Sequence, residues 1–182
     1  MSISIRPAQL QEASILTDLA LRSKAYWGYD AQFLESCREE LTLKEGELSV
    51  RRATVAEQDG GIVGFATLEG DPPQGVLGMM FVDPGVIGKG IGRLLFDHTV
   101  TTAQNLGFTQ FTIDADPNAE PFYQAMGAVP VGVVPSGSIP GRTLTQLLRS
   151  IRGPSRLPLT DTRAAGSSAR RRVNRCGSIS EV

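Results

Sequence analysis

Histidine and cysteine are scarce in this sequence. It contains one histidine, and its two cysteines, Cys37 and Cys176, are far apart and lack the spacing of metal ligands. A structural zinc site takes four Cys or His ligands, so the sequence predicts no metal centre. With no cysteine pattern that suggests a disulfide framework, we expect a reduced, cytoplasmic protein.

Long apolar runs are also absent. No stretch approaches the roughly 18 consecutive apolar residues of a membrane span, and residues 1–7 lack the basic start and apolar core of a signal peptide. The apolar fraction of 41% and the charged fraction of 20% are instead typical of a globular protein. At 182 residues the chain can form one domain with a full core. We therefore expect no membrane partner.

Net charge is almost absent, at −1, but the charges are unevenly distributed. Eight of the 18 Lys and Arg residues lie after residue 148, together with only two of the 19 Asp and Glu residues. The remaining body is therefore acidic. An acidic body does not suit an enzyme that binds nucleic acid, whereas it is compatible with a cationic or amine substrate.

The hydrophobic pattern predicts a single mixed α/β domain over residues 1–148. Alternation and short apolar runs predict strands at 3–6, 49–57, 62–69, 74–82, 108–115, 129–134 and 143–148. Helical periodicity with capping residues predicts helices at 8–25, 30–40, 90–106 and 119–126. The sequence Asp59-Gly60-Gly61 predicts a hairpin turn. The predicted order is β-α-α-β-β-β-α-β-α-β-β.

Residues 149–182 have a different character, rich in Arg, Ser, Gly and Pro and without apolar periodicity. A segment of this composition buries too little apolar surface to offset the entropy lost on ordering, so we predict a disordered basic tail. Two interpretations are open: a solvated tail without a partner, and a basic arm for RNA or anionic lipid. The second would make the chain an interaction protein whose function lies in its tail.

The segment most informative about function joins a buried strand to a helix through alternate glycines. These are Gly88, Gly90 and Gly92. Glycine lets the main chain approach a bulky anion, and the first-turn N–H groups and dipole of a helix favour negative charge there. We therefore predict a pyrophosphate cradle to which Lys89 or Arg93 adds positive charge. The alternative is a plain turn from strand to helix.

Two other phosphate-binding loops are excluded by the spacing. A P-loop has Ser or Thr after its lysine, whereas Lys89 is followed by Gly90. The dinucleotide fingerprint has a third glycine where this sequence has Arg93. The chain also opens with two helices and a strand meander, not with repeated βαβ units.

A second segment, Asp116-Pro117-Asn118-Ala119-Glu120-Pro121-Phe122-Tyr123, leads into the last predicted helix. From the residues alone, Asn118 is a good helix N-cap. Tyr123 is compatible with simple core packing on the preceding strand.

Together, the two segments resemble the GNAT superfamily of N-acetyltransferases over residues 3–148. The resemblance implies a GNAT-like, mostly antiparallel central sheet flanked by helices, with acetyl-CoA as co-substrate. Ile87 departs from the family, which usually has Arg or Gln there, so we expect altered phosphate contacts. The implied cofactor-binding residues are Met80, Phe81, Val82, Ile87, Gly88, Lys89, Gly90, Ile91, Gly92, Arg93 and Asn118.

The resemblance also implies an activity, in which an acetyl group passes directly from acetyl-CoA to a small-molecule or peptide amine. Tyr123 would be the acid that protonates the departing thiolate. Trp27 or Tyr29 would line the acceptor groove, and Glu35 or Glu39 would face the amine. The alternative for this corner is packing between two helices, with Trp27 buried.

Several questions stay open at this stage. The general base is Asp114, Asp116, Glu35 or a chain of water molecules, and His98 is interpreted as structural. The same fold also suits a non-catalytic module that holds acyl-CoA as a sensor or structural ligand. Because this fold often dimerises, a homodimer is compatible with the resemblance.

Overall fold

The computed structural model describes residues 2–151. The predicted order of strands and helices is confirmed over this range. The elements are β1 (Ile3–Pro7), α1 (Ala13–Ala25), α2 (Ala31–Leu41), β2 (Thr54–Gln58), β3 (Gly61–Asp71), β4 (Gln74–Val82), α3 (Ile91–Leu106), β5 (Gln110–Ala115), α4 (Glu120–Ala125), β6 (Val129–Pro135) and β7 (Thr143–Ser150). The predicted tail begins within β7, and its remainder from residue 152 lies outside the described residues. None of the described helices is long and apolar enough to cross a membrane.

The strands form one seven-stranded sheet in the order β1-β2-β3-β4-β5-β7-β6. Every neighbouring pair is antiparallel except β4 and β5, which are parallel. The predicted mostly antiparallel sheet flanked by helices is therefore confirmed. At the β2–β3 hairpin, Asp59 and Gly60 both have positive φ, at 52° and 82°, as the predicted two-residue turn requires.

The sheet opens between β4 and β5. These strands pair over three positions only, Gln74–Val76 with Gln110–Thr112. Beyond them β4 stays paired with β3 as far as Val82, and β5 stays paired with β7 as far as Ala115. A cleft therefore separates the carboxyl ends of β4 and β5, and the residues that follow each strand flank it.

Both faces of the sheet are covered, which explains why Met79–Val82 are buried in succession. Side chains alternate between faces along a strand. Met80 and Val82 pack with α3 and α4, whereas Met79 and Phe81 pack with α1 and α2. Each fully buried side chain of this size stabilises the fold by about 1.5–3 kcal/mol, so the two layers hold β4 firmly from both sides.

The predicted strand at 49–57 is wrong in its first half. Residues 48–53 form a tight turn, in which the Arg51 N–H donates to the Glu47 carbonyl at 2.8 Å and Arg52 has a φ of 46°. The alternation that suggested a strand has another cause. Within the predicted range, Val50 is apolar but 72% exposed, so its place in the pattern does not reflect burial in a sheet.

The first helix also begins later than predicted. Residues Leu10–Glu12 form a 3-10 turn, and α1 starts at Ala13. The Glu12 carboxylate accepts the Gln9 N–H at 2.7 Å and pairs with the Arg6 guanidinium, also at 2.7 Å. These bonds hold the chain in a tighter turn before the α-helix begins.

Candidate cofactor and acceptor site

A capped turn follows the end of β4. Asp83 accepts the Gly85 N–H at 2.9 Å and forms an ion pair with Arg22 of α1, also at 2.9 Å. Burial disfavours the ionised carboxylate, but the Gly85 and Arg22 contacts outweigh it and hold the pKa of Asp83 below its usual value. The turn therefore leaves the strand in a set direction and links β4 to α1.

Two glycines with left-handed backbone then lead into α3. Gly88 and Gly90 have φ of 76° and 81°, a conformation that other residues rarely adopt. Gly90 is the N-cap, and its carbonyl accepts the first helical bond, from the Leu94 N–H. The N–H groups of residues 91–93 precede that bond and have no carbonyl one turn earlier. The space around Gly90 is open, so this helix start can receive an anion.

The charged residues predicted for the cradle lie at its surface. The Lys89 ammonium donates to the Gly85 carbonyl at 3.1 Å, within the turn. Arg93 is exposed on the first turn of α3, and Ile87 is half-buried just before Gly88. Met80, Phe81 and Val82 direct their side chains into the two cores, which leaves only their main chain to contact a cofactor in the cleft.

A bulge interrupts β4 where it leaves β5. The pairing with β3 shifts there, with Thr67 opposite Met79 and Leu68 opposite Leu77, so Gly78 is the additional residue. The fully buried Thr67 hydroxyl accepts the Met79 N–H at 2.9 Å and donates to the Glu69 carboxylate at 2.9 Å. A side chain thus replaces part of the ladder bonding that a bulge disrupts.

The Glu69 carboxylate completes this arrangement with an ion pair. Its Oε1 lies 2.7 Å from the Arg51 guanidinium, and a Cβ placed on Gly78 would overlap the carboxylate. A side chain at position 78 would therefore require the Glu69 carboxylate to move. We name Arg51, Thr67, Glu69 and Gly78 the bulge brace.

Tyr123 lies within the core on α4, with none of its surface exposed. Its ring centre is 5.3 Å from that of Phe122 and 6.0 Å from that of Phe96 on α3. The ring therefore packs in the hydrophobic core on the α3/α4 side of the sheet.

Asn118 does not serve as the helix N-cap that its position suggested. Ala119 is the N-cap of α4, and the Asn118 side chain turns towards the α1–α2 corner. Its Nδ2 donates to Asp116 Oδ1 at 3.1 Å and to the Tyr29 hydroxyl at 3.3 Å. The Asp116 carbonyl instead accepts the N–H of Ala119, at 2.9 Å. The main-chain carbonyl of Asp116 therefore takes the place of a side-chain cap.

Asp116 is the centre of a buried polar cluster at the carboxyl end of β5. Its carboxylate is fully buried and accepts from the Tyr29 hydroxyl and from Arg142 Nη2, each at 2.8 Å on Oδ2. The Lys24 ammonium lies 3.6 Å from the same oxygen. Burial disfavours ionisation, but Lys24 and the surrounding donors outweigh it, so the pKa of Asp116 lies below its usual value. A carboxylate held ionised in this way is a weak general base.

The predicted acceptor-groove residues are placed very differently. Tyr29 is half-buried, stacks on Phe33 with ring centres 4.1 Å apart, and has its pKa raised to about 12 by burial and by Asp116. Trp27 is half-buried and packs on the α1/α2 core. Glu35 is exposed on α2 and pairs with Arg38 at 2.8 Å. Of the three, only Tyr29 joins the cluster around Asp116.

Sequence reasoning missed both cations of this cluster. Lys24 had a detectable signal, because it lies four residues after Ala20 on the buried side of α1, where a lysine needs an explanation. Arg142 had none. It sits in the turn-rich segment between β6 and β7, and the contact with Tyr29 spans 113 residues.

Comparisons with known proteins agree with this architecture. A family model described as "Acetyltransferase (GNAT) domain" matches residues 17–134, more than half of the chain. A search of curated proteins finds no match.

Three solved structures illustrate the structural similarity. A GCN5-related N-acetyltransferase from Rhodopseudomonas palustris is 25% identical, with a TM-score of 0.70 over 82% of this chain and 96% of that one. The PaiA N-acetyltransferase from Thermoplasma acidophilum, in complex with coenzyme A, is 21% identical, with a TM-score of 0.70 over 82% and 99%. The yncA protein from Salmonella typhimurium, with its cofactor acetyl-CoA, is 16% identical, with a TM-score of 0.61 over 88% and 100%. With its sheet opening, glycine turn and family match taken together, the chain belongs to the GNAT acetyltransferase family.

Proposed function

We propose that this protein is an N-acetyltransferase that transfers an acetyl group directly from acetyl-CoA to an amine in a ternary complex. The observation that carries the proposal is the cleft between β4 and β5, which leads directly to the open helix start at Gly90. The PaiA and yncA structures contain coenzyme A and acetyl-CoA, which supports the same co-substrate here.

In this proposal the pyrophosphate binds at the first turn of α3. The N–H groups of residues 91–93 bind its oxygens, and the helix dipole favours its negative charge. Lys89 and Arg93 add positive charge, while Ile87 supplies main chain only. The pantetheine arm then lies along the cleft against the main chain of Met80–Val82. Asn118 flanks the same cleft from the β5 side.

The reaction is an attack by the uncharged amine on the thioester carbonyl carbon. The C–N bond forms, the C–S bond breaks, and the sulfur leaves as a thiolate that Tyr123 protonates; the attacking nitrogen loses one proton to water as the amide forms, and Tyr123 regains a proton from water. A main-chain N–H of Met80–Val82 stabilises the negative charge that develops on the carbonyl oxygen. Holding both reactants in place contributes on the order of 7–11 kcal/mol. The Asp116 carboxylate is stabilised in its ionised form and therefore accepts a proton poorly. We propose that the substrate ammonium instead loses its proton to water.

The test measures acetyl-CoA binding to the full-length protein by isothermal titration calorimetry, with Gly90→Asp beside Gly107→Asp. The two glycines are a matched pair, since both cap α3, have φ of 81° and 87°, and face open space. Asp tolerates this backbone region better than most residues. We expect Gly90→Asp to weaken binding at least about tenfold, or about 1.4 kcal/mol, and Gly107→Asp to leave it near the wild-type value.

The outcomes separate the candidate functions. Equal weakening by both variants would show that strain in α3, and not the anion cradle, determines binding. Release of free CoA thiol in the presence of an amine panel would establish transfer. Binding without transfer to any amine would favour the sensor alternative, and no binding at millimolar acetyl-CoA would overturn the proposal.

A further inference from the structure

Asn118 lies three residues after the end of β5 and is exposed beside the opening of the sheet. Its side-chain amide has a donor end, the Nδ2 amino group, and an acceptor end, the Oδ1 carbonyl. A ligand that enters the cleft therefore meets either a donor or an acceptor, depending on how the amide is turned. The contacts of the amide with its neighbours decide between the two.

Asp116 fixes the orientation of the Asn118 amide. Nδ2 of Asn118 donates to Asp116 Oδ1 at 3.1 Å, and the Asn118 main-chain N–H donates to the same oxygen at 3.0 Å. An ionised carboxylate only accepts hydrogen bonds, and Lys24 and Arg142 beside its other oxygen favour the ionised form. The reversed amide would place two oxygens against each other. Nδ2 is therefore the end that faces Asp116.

Tyr29 holds the amide in the same orientation. Its hydroxyl has one proton, which it donates to Asp116 at 2.8 Å, so its oxygen accepts from Asn118 Nδ2 at 3.3 Å. The two hydrogens of Nδ2 thus have two acceptors, Asp116 Oδ1 and the Tyr29 hydroxyl. Within residues 2–151, Asn118 Oδ1 receives no hydrogen bond. The amide therefore keeps its acceptor end available to a ligand.

The last turn of α1 connects this arrangement to the other side of the cleft. Arg22 forms an ion pair with Asp83, just after β4, at 2.9 Å. Lys24, two residues later, forms an ion pair with Asp116, just after β5, at 3.6 Å. One turn of helix therefore bridges the two strand ends that border the cleft. The place of Asn118 relative to β4 is thus set by contacts on both sides of the opening.

We propose that Asp116 and Tyr29 are positioning residues for acetyl-CoA, which hold the Asn118 amide so that its Oδ1 accepts an N–H of the pantetheine arm. The pantetheine arm contains amide N–H groups, which need acceptors once they leave water. A reversed Asn118 amide would present hydrogens to such an N–H and lose the bond. This inference rests on the proposed function, which places the pantetheine arm in the cleft, and adds the residues that orient the contact.

The test measures Kd values on the full-length protein by isothermal titration calorimetry. The ligands are acetyl-CoA and 3′-phosphoadenosine 5′-diphosphate, which is coenzyme A without its pantetheine arm. We expect Asn118→Ala, Asp116→Asn and Tyr29→Phe each to weaken acetyl-CoA binding about two- to tenfold, the usual contribution of one hydrogen bond. Binding of the diphosphate should stay at the wild-type value. Tyr26→Phe, which alters an exposed tyrosine of the same corner, should change neither affinity.

A double-mutant cycle separates positioning from a purely structural role. If Asp116 and Tyr29 act through Asn118, then Asp116→Asn and Tyr29→Phe should have no further effect on acetyl-CoA binding once Asn118→Ala is present. Residues that act only through the stability of the fold would weaken binding by the same factor with and without Asn118→Ala. The coupling between the variants therefore measures the positioning directly.

Additive losses in the cycle would overturn the inference, as would equal weakening of acetyl-CoA and of the diphosphate. Wild-type affinity in Asn118→Ala would overturn it as well. Tyr29→Phe leaves the ion pairs of Asp116 in place, so the cycle keeps its power if Asp116→Asn fails to fold. Failure of the wild-type protein to bind acetyl-CoA would refute the proposed function together with this inference, whereas binding with additive losses would refute the inference alone.

Discussion

At the scale of single residues, Tyr123 has both a packing role and a proposed chemical one. Its ring lies between Phe96 and Phe122 in the core, and its hydroxyl is the proposed proton donor to the thiolate. The two roles separate in Tyr123→Phe, because phenylalanine keeps the ring and removes only the hydroxyl.

We expect Tyr123→Phe to lower kcat by about 10²–10⁴, the usual contribution of a general acid, with the Kd for acetyl-CoA unchanged. The measurements are the rate of thiol release and a calorimetric titration. Tyr26→Phe is the matched control, since Tyr26 is 54% exposed and has no proposed role. Full activity in Tyr123→Phe would show that the thiolate receives its proton from another source.

At the scale of elements, the bulge brace determines how β4 leaves β5. Gly78 is the additional residue, Thr67 accepts the Met79 N–H, and Glu69 fills the space that a side chain at position 78 would need. Arg51 neutralises that carboxylate from the turn before β2. The path of the strand towards the cleft therefore depends on side chains from its neighbours.

Gly78→Ala is expected to destabilise the protein by about 1–3 kcal/mol, the usual cost of overpacking a core, since the new methyl group displaces the Glu69 carboxylate. The measurement is the free energy of unfolding in urea. Gly61→Ala is the control on the adjacent strand, because its Cβ would meet only the Gln58 carbonyl, at an ordinary 3.7 Å. Equal stability of the two variants would show that Glu69 moves aside without cost.

At the scale of the whole molecule, ion pairs tie distant segments together. Arg6 joins Glu12 and Glu57, Arg22 joins Asp83, and Arg142 joins Asp116. The pKa of Glu12 is lowered chiefly by its bond to Arg6, and the pKa values of Asp83 and Asp116 are lowered as well. These carboxylates bind protons less readily in the folded state than in the unfolded state.

Their stabilisation is therefore fully present above the unfolded pKa values of about 4 and is lost as pH falls through the lower folded values. We expect the free energy of unfolding in urea to fall steeply below about pH 4. Glu12→Gln should flatten this dependence, because it removes one of the shifted groups. Glu35→Gln, which alters an exposed carboxylate, should leave the pH dependence of the free energy of unfolding as it is in the wild type. Parallel profiles for wild type and Glu12→Gln would contradict the assignment of Glu12.

The order of elements and the glycine turn were predictable from the sequence because both depend on local chemistry. Apolar periodicity marks the faces of helices and strands, and a left-handed backbone at Gly88 and Gly90 requires glycine wherever the chain lies. The anion cradle was predicted on the same grounds: the structure has the glycine turn between β4 and α3, and its binding of an anion stays a prediction.

Only the tertiary structure decided which side chains meet. Lys24, Asp116 and Arg142 converge from segments that share no local pattern, and Asn118 turns towards Tyr29 instead of capping α4. The turn at residues 48–53 resembled a strand because the pattern treats Val50 as a core residue, whereas the structure leaves it 72% exposed. Contacts between residues far apart in sequence depend on how the layers pack, which local periodicity does not encode.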